Sequence, residues 1–94
     1  MKSHVNPDFR KLFAALPQDI RDQARAAYRL FQANPRHPGL NFKRVHASDR
    51  LVSVRVGRNY RAVGVLHGSD EVLWFWIGPH AEYEKVLKGR WPAG

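Results

Sequence analysis

At residues 34–39, NPRHPG, the hydrophobic period of the chain changes. Before this turn-rich hexapeptide, apolar residues recur three and four apart; after it they recur every second residue. A chain patterned in this way builds a helical half and a sheet half, and each must bury its apolar side against the other.

In the first half, Asn6 stands as an N-cap and Pro7 at the first helical position, followed by Phe9, Leu12, Phe13 and Leu16 at i, i+3, i+4 and i+7. Pro17 interrupts this short amphipathic helix and begins a second. There Ile20, Ala24, Ala27 and Phe31, flanked by Tyr28 and Leu30, form a core-facing stripe that Asn34 and Pro35 end. Two helices joined so closely form a hairpin.

The second half divides into LNFKRVH (40–46), LVSVRVG (51–57), YRAVGVLHG (60–68) and VLWFWIG (72–78), with connections short enough for hairpins. An antiparallel four-stranded meander is expected. Val52, Val54 and Val56 fall on one face, which the helices should cover; Ser53 and Arg55 fall on the other. In the last strand Val72, Trp74 and Trp76 alternate with Leu73, Phe75 and Ile77, so both faces are apolar. That strand is expected to be central, or covered on its second face by another element or a partner. PHAEYEKVLKG then reads as a short helix with Pro79 near its start, acidic Glu82 and Glu84 early, and Lys85, Lys88 and Gly89 at its end. The expected fold is α+β: an N-terminal helical hairpin on a four-stranded antiparallel sheet, a short C-terminal helix, and a possible extra N-terminal edge strand at KSHV.

With 94 residues the chain holds one core, and residues 1–94 are read as a single domain. No apolar run approaches the ~20 residues of a membrane span, and MKSHVNPDFRK lacks the apolar centre of a signal peptide, so the expected location is the cytoplasm. The chain has no cysteine, and its five histidines show no close metal-binding spacing, so neither a metal nor another cofactor is expected. Sixteen Lys and Arg against eight Asp and Glu give a net charge of +8. An excess of this size suits an anionic partner, either a polyphosphate backbone or an acidic protein; the plainer alternative is solubility.

Lys43, Arg55 and Arg61 can all project from the sheet face turned away from the hairpin, making a basic surface suited to phosphate. Guanidinium groups spread negative charge in a phosphoryl transition state. The alternative is that Arg55 pairs with Asp49, Asp70 or Glu71. His80 lies past a strand at the start of a helix, where the dipole disfavours imidazolium, and a neutral imidazole can accept a proton. Tyr83, three residues on, shares nearly the same helical face. Together they can serve the proton transfers of RNA cleavage by its own 2'-hydroxyl; alternatively Tyr83 packs with Val86 and Leu87 while His80 caps the helix. Arg21, Arg25 and Arg29 form an i, i+4, i+8 row, read most simply as a solvated face, with contact to RNA or an acidic segment as the alternative. His4, His37, His46 and His67 read as surface residues, with a place near the basic face as the alternative for His46 and His67.

The combination of LP, a long helix ending in NP..PGL, SVRVGRNYRAV and a closing WIGPHAEYEKVL resembles the RelE/ParE superfamily of toxins from bacterial toxin–antitoxin systems, over about residues 7–87. The Tyr60-Arg61 pair is similar in both RelE-like nucleases and ParE-like gyrase poisons. The ending Gly78, His80 and Tyr83 looks like the RelE-like branches that cut messenger RNA on the ribosome. The resemblance implies a metal-independent endoribonuclease in which Arg61 stabilises phosphate, Arg55 adds a phosphate contact with Lys43 and Arg44 as further basic candidates, His80 is general acid or base, and Tyr83 stacks on or orients a base. The implied partners are a cognate antitoxin, the ribosome and mRNA. The alternatives are a DNA gyrase inhibitor, for which His80 is dispensable, and a non-catalytic RNA- or antitoxin-binding relative. The first sheet strand departs from the family pattern in lacking an evident catalytic carboxylate.

Overall fold

The computed structural model describes residues 1–45 and 50–89. Asn6 caps helix α1 (Pro7–Ala14): its Oδ1 accepts the Phe9 N–H at 2.9 Å, satisfying one of the donors a helix start leaves unpaired. Helix α2 (Gln18–Ala33) follows from Pro17, which acts as N-cap without a side-chain bond. Arg21 joins the two, donating through Nη1 to the Leu16 carbonyl at 2.6 Å and the Ala14 carbonyl at 3.2 Å, so it satisfies acceptors at and just beyond the end of α1. The guanidinium of Arg25 lies 5.1 Å from the Phe13 ring centroid. Two members of the arginine row thus hold the hairpin together, and the row is more than a solvated face.

Strand β1 (Lys2–Val5) is the extra edge strand, parallel to β5 (Glu71–Pro79). The sheet order is β1-β5-β4-β3-β2, with β2 (Lys43–Arg44), β3 (Leu51–Val56), β4 (Tyr60–His67) and β5 forming the antiparallel meander. The expected first meander strand contracts to two residues. Before it, Pro38–Leu40 make a turn of 3₁₀ helix capped by His37 Nδ1, which accepts the Gly39 N–H at 3.0 Å. Asn41 then adopts a left-handed conformation (φ 47°, ψ 47°) incompatible with a strand. The remainder of the expected strand beyond Val45, including His46, and the loop with Asp49 lie outside the described residues.

The single core expected from the length is divided by the sheet into two clusters, one on each face. Helices α1 and α2 cover Val52, Val54, Val56, Ala62, Val72, Trp74 and Ile77, with Phe31 edge-on to Trp74 at 5.5 Å. Helix α3 (His80–Lys88) covers the other face, packing Tyr83 and Leu87 among Leu51, Val63, Val65 and Phe75. As expected, β5 is central, and α3 supplies the cover for its second face. Two residues exchange sides relative to strict alternation: Trp76 packs with the α3 core, Ile77 with the hairpin core. A register shift between Val63 and Gly64 pairs these with Trp76 and Trp74, inserting Phe75 as an extra residue. Gly64 permits it, because a Cβ there would stand 2.7 Å from Val72 Cγ2 and 2.8 Å from Trp74 Cε3. In the helices, Leu12 and Tyr28 are 36% and 41% exposed and lie at the margin of the stripes that periodicity assigned them.

Candidate functional site

Cross-strand register brings the basic residues together. Arg55 stands directly opposite Arg61, and Lys43 directly opposite Ser53, all on the face that carries α3. Arg44 does not join them: its partner is Val52, a hairpin-side residue, so Arg44 belongs to the opposite face. Like charges directly opposed across two strands repel, and an anion between them relieves that cost.

Arg61 is 5% exposed. Its Nη2 donates to Ser53 Oγ at 2.7 Å and reaches the Asn41 carbonyl at 3.5 Å, while its Nε is buried with no hydrogen-bond partner. Among the described residues no carboxylate forms an ion pair with it. Burying a guanidinium without an anion is costly, so this arginine is a poor choice for stability alone. The face of Tyr83 supplies partial compensation, with its ring centroid 5.1 Å from the guanidinium carbon.

Tyr83 is itself 4% exposed; its hydroxyl donates to Ser53 Oγ at 3.1 Å. Ser53 is thus the shared acceptor for both buried groups. The sequence marked it only as the polar residue in a valine strand, on the same face as Arg55, and its bonding role was not read from that pattern. His80 is exposed and stacks on Tyr83, with centroids 5.5 Å apart and planes 20° from parallel. Its main chain is fixed as well: the His80 N–H donates to the Asn59 carbonyl at 2.7 Å, tying the start of α3 to the β3–β4 turn. Neither that carbonyl nor Asn41's carries a sequence signal, because both act through backbone.

The result is two-layered. Ser53, Arg61 and Tyr83 form a buried floor; His80, Arg55 and Lys43 are the exposed groups above and beside it. Arg55 is bonded through Nε to the Gly57 carbonyl at 3.0 Å and does not pair with Asp70 or Glu71, which engage the N-terminus and His4. The alternative in which Tyr83 packs in the core is partly met, since its ring is buried, yet that ring also carries His80 and touches Arg61. His67 lies at the far end of β4, opposite Glu71, and takes no part. No group of three or more metal-ligating residues occurs among the described residues. No helix is long and apolar enough to cross a membrane among them either.

This α+β arrangement is that of small toxins in solved structures. It superposes on a chain of the RelB–RelE antitoxin–toxin complex of Methanococcus jannaschii with TM-score 0.67 and 19% identity, covering 89% of this chain and 98% of that one. YafQ from Escherichia coli gives 0.67 at 11% identity over 87% and 96%, and the YoeB/ParE toxin of Agrobacterium tumefaciens 0.66 at 13% over 85% and 99%. A family model described as the ParE-like toxin domain matches residues 18–85, and the chain belongs to that family, within the RelE/ParE superfamily. None of the curated protein sequences matches it.

Proposed function

We propose that this chain is the toxin of a toxin–antitoxin pair and acts as a ribosome-dependent endoribonuclease on mRNA. The observation that carries the reading is the buried Arg61: a guanidinium without a carboxylate, opposite a second arginine, and joined through Tyr83 to an exposed histidine. That set meets the needs of phosphodiester cleavage by a neighbouring 2'-hydroxyl. His80 accepts the hydroxyl proton or delivers one to the departing 5'-oxygen, Arg55 and Lys43 hold the phosphate, and Arg61 offsets the charge that builds on its oxygens. The chemistry requires proton transfer and charge stabilisation, with no metal-bound step. Because Arg61 and Tyr83 are covered, direct contact between Arg61 and phosphate requires Tyr83 to swing from its place over the guanidinium. His80 stacked on that ring offers a surface against which a nucleobase can lie.

An antitoxin partner is supported by the structural likeness to chains of RelB–RelE complexes and by a feature of the opposite face. An apolar cavity of about 540 Å³ opens between the hairpin and the sheet, lined by Phe9, Phe13 and Tyr28 together with Arg10, Arg25 and Arg29. An acidic amphipathic segment fits such a lining. The match to a ParE-like family model favours one second reading, inhibition of DNA gyrase, in which the His80 cluster is idle.

The test is expression of wild type and His80→Ala in cells, with mapping of new 5' ends on translated messages. Codon-phased cuts confined to the wild type are expected. Equal cutting by the variant overturns the assignment of His80; growth arrest with DNA damage and no cuts moves the function to gyrase.

A further inference from the structure

A second cavity of about 540 Å³ lies at the β2 edge of the sheet, where the loop after α2 meets the N-terminus and the β4–β5 turn. Its lining includes Arg36, His37, Asn41, Lys43 and Arg44 beside the apolar Phe42 and Leu66, and among the described residues no Asp or Glu lines it. Arg36 and Lys43 are exposed, and among the described residues their side chains make no hydrogen bond or ion pair. His37 is oriented by its own loop: Nδ1 accepts the Gly39 N–H, so the ring proton of the neutral form sits on Nε2, a donor without a partner among the described residues. Arg36 and Lys43 flank the turn of 3₁₀ helix and left-handed Asn41, so like charges line one hollow, and an anion there would offset their repulsion.

The cavity also connects to the buried floor of the candidate site. Asn41 lines the cavity while its carbonyl faces Arg61 Nη2 at 3.5 Å, and Lys43, also in the lining, stands opposite Ser53. A strand of alternating phosphate and sugar held near Arg55 and Lys43 can continue around the β2 edge into this hollow.

We propose that the cavity is an accessory phosphodiester site, which holds the backbone of single-stranded RNA a few nucleotides from the cleaved position through Arg36 and His37, with Lys43 at the junction between it and the candidate site. This rests on the ribonuclease reading above and adds to it a second contact region, on the far side of the edge strand, that sets the length of RNA the protein grips. The number of phosphates engaged is readable from salt, since each one neutralised on a single strand steepens the log–log salt dependence of binding by about 0.7.

The experiment measures fluorescence anisotropy of the full chain with 2'-O-methyl RNA, which cannot be cleaved by its own hydroxyl, in lengths of three and twelve nucleotides over a salt series. Arg36→Gln is compared with wild type and with Lys11→Gln, which removes an exposed charge from α1 and touches neither cavity. Arg36→Gln should weaken binding of the 12-mer about three- to tenfold and lower its salt slope by about 0.7, while the 3-mer and the Lys11 variant change less than about twofold. If Arg36→Gln and Lys11→Gln behave alike on the 12-mer, or if the 3-mer is weakened equally, the accessory site is overturned while the ribonuclease reading stands. Wild type that binds neither RNA overturns the accessory site and leaves the ribosome-dependent reading to the mapping of 5' ends. Loss of binding to an acidic peptide in Arg36→Gln, with RNA binding intact, makes the cavity a protein contact and overturns the RNA assignment.

Discussion

Replacing Arg61 by Met separates function from stability, because the two readings of this residue predict opposite signs. The substitution removes a charge-assisted bond to Ser53 Oγ, which contributes about 1.5–3 kcal/mol, and a ring contact with Tyr83 of about 1 kcal/mol. It also relieves the burial of a charge with no carboxylate partner, a penalty of several kcal/mol, of which the unpartnered Nε alone accounts for about 1–3 kcal/mol. Met keeps the unbranched stem and fills most of the volume. The net expectation is a protein unchanged in stability or more stable by up to about 2 kcal/mol. In urea that is a rise of up to about 2 M in midpoint for a slope of about 1 kcal/mol per M. Activity should move the other way, by about 10²–10³-fold in message cleavage in a translating extract, the usual loss when a charge-stabilising donor is removed. A midpoint that falls by the equivalent of more than 2 kcal/mol, with cleavage intact, shows Arg61 to be a structural strut and refutes the argument from its missing anion.

Ser53→Ala should do the reverse to stability. It leaves both Arg61 Nη2 and the Tyr83 hydroxyl without their buried acceptor, a loss of about 2–4 kcal/mol visible as a lower urea midpoint. A drop of under about 0.5 kcal/mol means that both groups find other partners. Gly64→Ala drives a Cβ against Val72, Trp74 and the Leu73 carbonyl at 2.7–3.0 Å and should cost about 1–3 kcal/mol by thermal unfolding. Gly68→Ala, where the space is open and only the positive φ of 68° resists, should cost about 1–2 kcal/mol. His80→Gln should leave the unfolding midpoint within about 0.5 kcal/mol of wild type, since the ring is exposed, while cleavage is lost.

Local chemistry made most of the fold legible. Asn6 and Pro7 mark a helix start wherever they occur before an apolar 3-4 pattern, and the alternation of Val52, Val54 and Val56 assigns faces without knowledge of neighbours. The readings that missed depend on what lies across the strand or under the turn. The exchange of Trp76 and Ile77 follows from a bulge that the absence of a Cβ at Gly64 on the adjacent strand permits, far outside any local window. Arg44 sits one residue from Lys43 and so looks toward the other face by alternation alone; the register against β3 shows that Lys43 is the one on the candidate-site face.

The same division runs through the candidate site. The sequence by itself offered the candidates, a histidine at a helix start and arginines on neighbouring strands, and the spacing already put His80 and Tyr83 on nearly one helical face. It could not determine which of those groups are buried. Tertiary structure decided that, by laying α3 over β4 so that Tyr83 covers Arg61 and both converge on Ser53, thirty residues from Tyr83 and eight from Arg61 in the chain. The physical reason is that burial and charge compensation are properties of the space around an atom, and that space is filled by residues remote in sequence.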